Sequence, residues 1–355
     1  MHFLQQLTEA RGVPGYEQEV RTLMEEELSK LGAAIQYDGL GSIFGKKPGT
    51  ASNPRVLVAG HLDEVGFMVS EITKGGYLRF APLGGWWSQV LLSQRVQIVT
   101  ERRSYTGVIG SKPPHILTLE ERNKVYPIRE MYIDVGARSD EQVKEWGIQV
   151  GDPVVPICPF EIMPDGDTIL AKALDNRMGC YMAVEVLRQL QMTDHPNTII
   201  AGATVQEEVG LRGAQTAPYE VKPDVAFALD VGVAEDGPGQ EGSGKAKLGE
   251  GPLLTFLDAS MIPNIPLRNL VVKTAEENNI PYQTETMLGG GTDAGKFHLY
   301  HRGIPSMVVG VAARYIHSHT SMISKRDLEN GIRLLVEVIK KLNTETVRQL
   351  THYIG

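Results

Sequence analysis

Four short apolar runs in this chain each stop at, or shortly before, a histidine or a carboxylate, and that repeated ending restricts the fold more than any other feature. Pro54 to Gly60 leads into His61-Leu62-Asp63-Glu64, and Thr198 to Val205 leads into Gln206-Glu207-Glu208. Val225 to Leu229 leads into Asp230, and Ser306 to Val311 is followed shortly by His317. Brief runs rich in β-branched residues, with Gly or Pro nearby, read as strands buried on both faces. Open α/β sheets gather their ligands beyond the carboxyl ends of such strands, which is where these residues fall. Asp175 differs: it stands before Asn176 to Leu187, a helical pattern, where a carboxylate suits the helix dipole whether or not it binds metal.

Two histidines and three carboxylates, His61, Asp175, Glu208, Asp230 and His317, are the ligand types of a dinuclear metal centre, and together they predict a metal-dependent hydrolase. Asp63, two residues from His61, is placed to take the other imidazole N–H, which would fix the tautomer. Glu207 and Glu208 close an apolar run; on a strand they would point to opposite sides, one toward a metal and one free to act as a base. Each motif has a plainer explanation alone: a satisfied histidine beside a surface carboxylate, or an exposed Glu-Glu pair. Their joint occurrence favours the metal site. His319 repeats the histidine two positions after His317 and is the weaker ligand candidate. The run Gly289-Gly290-Gly291-Thr292-Asp293 reads either as a loop or as close backbone approach to a substrate, with Gly290, Gly291, Thr292 and Asp293 as its contacts.

At 355 residues the chain fits two domains. A net charge of -8 provides no basic footprint for nucleic acid or an anionic membrane. No stretch approaches the roughly 20 apolar residues of a membrane span, and Met1 to Gln6 lacks a signal-peptide pattern, so cytoplasmic residence is expected. Cys158 and Cys180 read as reduced thiols.

The organisation predicted is an α/β domain interrupted by an all-β insert. Val20, Leu23, Met24, Leu28 and Leu31 recur at helical spacing and stop at Gly32. Leu328, Ile332, Leu335, Ile339 and Leu342 repeat the pattern, with Ser324 and Asp327 as a capping pair. Between them, Gln94–Val99, Tyr105–Ile109 and Asp152–Val155 alternate with turn signals such as Lys74-Gly75-Gly76, as in a small barrel or sandwich. Gly239 to Ala246 nearly matches a phosphate-cradling loop but has alanine where a hydroxyl must hold magnesium.

The strings His61-Leu62-Asp63-Glu64-Val65-Gly66-Phe67-Met68, Ala173-Leu174-Asp175-Asn176-Arg177, Val205 to Ala214, Gly289 to Asp293 and Arg314 to Ser318 resemble the glutamyl and deblocking aminopeptidases, which include the tetrahedral aminopeptidases. The resemblance is collinear and covers nearly the whole chain. It implies a zinc-peptidase-like, three-layer catalytic domain with a mixed central sheet, over residues 1–70 and 165–355, and a barrel-like dimerisation domain over 71–164. It implies two divalent ions, zinc or cobalt: one on His61 and Asp230, one on Glu208 and His317, with Asp175 bridging. Glu207 matches the general base and Asp63 the carboxylate behind the first histidine. The implied substrate is a peptide with a free N-terminus, and the implied assembly a homo-oligomer, a dimer or a tetrahedral dodecamer. Leu174 stands where many relatives carry tryptophan, which alters no ligand. A deacylase of N-acyl amino acids would use the same ligands. An endoglucanase would need a carboxyl pair without metal, and a non-catalytic scaffold would be expected to lose ligands or base.

Overall fold

The structure is a computed structural model that describes residues 1–239 and 246–352; the near-match to a phosphate loop lies almost wholly outside the described residues. The four apolar runs become neighbouring strands of one mixed sheet. Its order is Ala34–Tyr37, Ile43–Pro48, Thr198–Thr204, Arg55–His61, Val225–Ala228, Ser306–Arg314, Ser321–Ser324, Thr168–Ala171 and Glu161–Ile162. The central four run parallel, with Thr204 in register with His61 and Ala228 with both Ala59 and Val308. Their carboxyl ends therefore open at one edge of the sheet.

Alternation along these strands separates two cores. Val56 and Val58 face one with Leu28, Met182 and Leu335. Leu57 and Ala59 face the other with Ala217, Val221 and Phe297. The helices Gln18–Lys30, Leu174–Leu190 and Lys325–Lys341 cover the first face and Arg212–Val221 the second. The result is the three-layer arrangement expected, and every residue of Thr198–Thr204 and Val225–Ala228 is buried, as strands covered on both sides require.

The first amphipathic pattern forms the helix Gln18–Lys30, and Gly32 follows with φ +65°. Ser324 caps the last long helix by accepting the Asp327 N–H, but the reciprocal bond is absent. The Asp327 carboxylate instead accepts the Gly249 and Gly251 N–H groups at 2.7 Å each, tying a loop to the helix start. At the front of Leu174–Leu190, Asp175 and Asn176 have non-helical backbone. Asn176 holds that bend by accepting the Gly179 N–H and donating to the Leu229 carbonyl. Asp175 thus stands just outside the regular turns.

The insert is a closed barrel of six strands: Gly66–Ile72, Leu78–Leu83, Ile133–Asp134, Ser104–Ile109, Arg95–Val99 and Pro153–Pro156, in that spatial order. Phe67, Leu78, Val96, Ile98, Ile109 and Val154 fill it. Trp86 packs on Phe67, ring centroids 4.7 Å apart, while Trp87 is 61% exposed. The barrel's first strand starts at Gly66, just past His61, so two ends of one polar segment are held by two domains. Both cysteines are free, and among the described residues no helix is long and apolar enough to cross a membrane.

Candidate metal centre

The five candidate ligands meet at the carboxyl edge of the sheet in two clusters sharing Asp175. His61, Asp175 and Asp230 form one, and Asp175, Glu208 and His317 the other, each with ligand atoms within 4.8 Å of one another. His61 Nε2 lies 3.3 Å from Asp175 Oδ1 and 3.9 Å from Asp230 Oδ1. His317 Nε2 lies 3.5 Å from Asp175 Oδ2 and 3.6 Å from Glu208 Oε2. The two oxygens of Asp175 thus face different histidines.

Both imidazoles are oriented from behind by a carbonyl. His61 Nδ1 is 3.0 Å from the Asp63 carbonyl and His317 Nδ1 is 2.8 Å from the Gly85 carbonyl. A carbonyl only accepts, so each Nδ1 carries a proton and each Nε2 is the ring nitrogen turned to the clusters. The Asp63 carboxylate, expected behind His61, is 3.5 Å from Nδ1 and is otherwise engaged. Its two oxygens accept the Glu207 and Glu208 N–H groups, both at 3.0 Å.

That clamp corrects the strand reading of the Glu pair. Glu207 and Glu208 lie past the end of Thr198–Thr204, in a loop where Gln206 has φ +54°, and both reach the same site. Glu207 Oε2 is 3.8 Å from His61 Nε2, while Glu208 serves the His317 cluster.

Four carboxylates in so small a space create strong electrostatic demand. Burial, with Asp230, Asp293 and Glu208 nearby, raises Glu207 well above the usual carboxylate range despite His61. Burial and the charge of Asp175 push Glu208 up to about 8. Burial and Asp175 also raise Asp230 well above its ordinary value. For His317 burial acts downward, but Asp175 and Glu208 outweigh it and raise the imidazole to about 10. Glu208 Oε1 is buried with no hydrogen-bond partner among the described residues. Such an orphaned carboxyl oxygen, in a set of hard oxygen and imidazole donors, fits divalent cations.

The remaining candidates divide. Gly290, Gly291 and Thr292 line the cavity over the clusters, whereas Asp293 does not: it is 2% exposed, accepts the Thr204 hydroxyl, and is pushed up to about 7 by burial and Asp63. His319 belongs to neither cluster. It is buried 5.3 Å from the Trp86 ring centroid, and burial lowers it to about 4.

A buried network beneath the ligands was not foreseen. Arg177 donates to the carbonyls of Leu62, Leu7, Ala10 and Gly12 and to Glu64, which also receives Lys172 Nζ at 2.6 Å. The sequence signal was a charged residue directly after two of the ligand motifs, Glu64 after His61-Leu62-Asp63 and Arg177 after Asp175-Asn176.

Comparison with known proteins points to one family. A family model described as M42 glutamyl aminopeptidase matches residues 41–334, and one described as AMPT matches residues 1–24. The glutamyl aminopeptidase of Lactococcus lactis subsp. cremoris is 39% identical, with 98% of each chain covered. The TET aminopeptidase from the marine sediment archaeon Thaumarchaeota archaeon SCGC AB-539-E09 superposes with a TM-score of 0.96 at 47% identity, covering 99% of this chain and 98% of that one. The Pyrococcus horikoshii TET1 peptidase, whose structure is described as a tetrahedron or a large octahedral shell, gives 0.86 at 32% identity, covering 96% and 99%.

Proposed function

The chain belongs to the M42 glutamyl aminopeptidase family and is a metal-dependent aminopeptidase, and from that premise we propose which residues carry the reaction. Two divalent ions, zinc or cobalt, would be held by His61 and Asp230 on one side and Glu208 and His317 on the other, with Asp175 serving both. The observation that carries this reading is the sharing of Asp175 between two ligand clusters. When bound, the ions supply positive charge that polarises the scissile carbonyl and lowers the pKa of a water to about 7.

The chain's own groups do the rest. Glu207, beside the clusters and open to the cavity, takes the proton of the attacking water and passes it to the leaving amine nitrogen. Burial among carboxylates raises its proton affinity, which suits an acceptor. Asp63 fixes Glu207 through the backbone. Gly290, Gly291 and Thr292 border the substrate path, and the surrounding carboxylates attract the α-ammonium of a free N-terminus.

The barrel, expected over 71–164 but with strands running from Gly66 to Pro156, serves in this reading as the dimerisation domain of a homo-oligomer, a dimer or a tetrahedral dodecamer, and the rest of the chain as the catalytic domain. Exposed Ile116 and Leu119 on the insert and the assembly described for the TET1 peptidase support it. Unpaired cysteines support a cytoplasmic location. The test is Glu207→Gln: metal content measured by elemental analysis should stay at the wild-type level while kcat falls roughly 10²- to 10⁴-fold. Wild-type turnover in that variant would remove Glu207 from the role.

A further inference from the structure

The cavity above the clusters has a volume of about 400 Å³. Its charged lining consists of His61, Asp175, Glu207, Glu208, Asp230 and His317, every one a member of the proposed catalytic centre. The rest of the wall is apolar or neutral, with Leu211, Val231, Val233, Met287 and Ile316 as its large side chains. Among the described residues no lysine or arginine contributes to it, and no carboxylate outside the centre does.

Local structure explains why neighbouring charges stay out. Val231 and Val233 alternate with Gly232 on a short strand, so both valines face the cavity and the glycine faces away. Behind Gly232 an added Cβ would fall 2.5 Å from Glu285 Oε2, which places that carboxylate on the far side of the strand, where it accepts the Thr255 hydroxyl. Arg314, close in sequence to Ile316, is committed to both oxygens of Asp236 at 2.6 Å each. Arg212, next to Leu211, is turned to Gln206 Oε1.

We infer that this cavity selects peptides whose N-terminal side chain is apolar and unbranched or leucine-like, and discriminates against acidic and basic N-terminal residues. The inference rests on the aminopeptidase reading above, because the catalytic centre fixes the scissile bond and leaves the adjoining wall to meet the first side chain. A glutamate side chain would lose water without gaining a cation from the described side chains of the wall. A lysine ammonium would lose water in the same way, since the described residues of the wall hold no carboxylate beyond those that would serve the ions and the α-amine. Leucine or methionine loses nothing polar and gains contact, and each methylene accommodated in an apolar pocket is worth roughly 10- to 200-fold in kcat/KM. Met287 adds a flexible thioether that adapts to more than one shape.

The experiment measures kcat/KM of the metal-loaded enzyme on p-nitroanilides of leucine, methionine, glutamate and lysine. Leucine and methionine should exceed glutamate and lysine by at least about 10-fold. Glutamate or lysine equal to or above leucine would overturn the inference while leaving an aminopeptidase. No cleavage of any of them would overturn the aminopeptidase reading and the inference with it. Met287→Lys should raise the glutamate-to-leucine ratio by about 10-fold; an unchanged ratio in the folded variant would overturn the assignment of this wall.

Discussion

Replacing Arg177 by methionine keeps a long side chain in a fully buried position and removes all of its polar contacts. The cost depends on what each acceptor has left. The Ala10 carbonyl and Glu64 retain Lys172 Nζ, and the Gly12 carbonyl retains the Glu64 N–H. The Leu7 and Leu62 carbonyls lose the partners that Arg177 gives them, at 2.6 and 2.8 Å, and keep none among the described residues. Two orphaned buried acceptors cost about 2–6 kcal/mol together. For a chain this long that is a fall in Tm of roughly 3–8 °C.

The same substitution should loosen the site, because Leu62 and Glu64 flank Asp63 and the freed 7–12 segment packs beneath it. Calorimetry should therefore show both the lower Tm and a weaker affinity for zinc, while Arg177→Lys, with fewer donors for the same acceptors, should fall between. A methionine variant within 2 °C of wild type (about 1.5 kcal/mol or less) and with unchanged zinc affinity would refute the argument that backbone carbonyls hold the candidate metal-binding segment in place.

Asp63→Asn replaces one acceptor by a donor facing an N–H, so a charged hydrogen bond worth about 1.5–3 kcal/mol is lost and kcat/KM should drop roughly 10- to 150-fold; full activity would deny Asp63 its clamping role. Gly310→Ala would set a Cβ 1.5 Å from the Asp230 carbonyl, so the strand bearing Asp230 must move and zinc affinity, read by titration calorimetry, should fall; wild-type affinity would contradict the packing. A chelator should abolish activity, and the chelated protein should lose Tm between pH 5 and pH 8. The sign follows from raised folded values: Glu208 at about 8 binds protons that the unfolded chain has released above about 4.5, and His317 at about 10 does so above about 6.5, so stability is lost as pH rises. A Tm that climbs across that range after chelation would refute it, and zinc at 100 times its Kd should restore about 2.7 kcal/mol.

The candidate ligands were legible in the sequence because each one marks a boundary where a buried strand or helix meets solvent. His61, Glu208, Asp230 and His317 follow apolar runs, and Asp175 precedes one, so hydrophobic pattern alone points to them. The barrel strands announced themselves through alternation, but closure depends on Ile133–Asp134, a strand of two residues with no pattern to read. The orientation of the Glu pair was hidden for a different reason. It rests on a left-handed Gln206 and on N–H groups accepted by Asp63, and neither a non-glycine positive φ nor a backbone donor has a side-chain signature.

The same distinction explains Arg177 and the cavity wall. Four of the five acceptors of Arg177 are backbone carbonyls, which any residue type could offer, so the sequence shows an arginine without showing its burial or its purpose. Leu211, Val231, Met287 and Ile316 come from four separate segments, and each alone is an ordinary apolar residue. Metal-binding chemistry requires particular side chains and is therefore written at particular positions. Orientation and selectivity are built from backbone groups and from what the wall omits, and only the folded chain displays those.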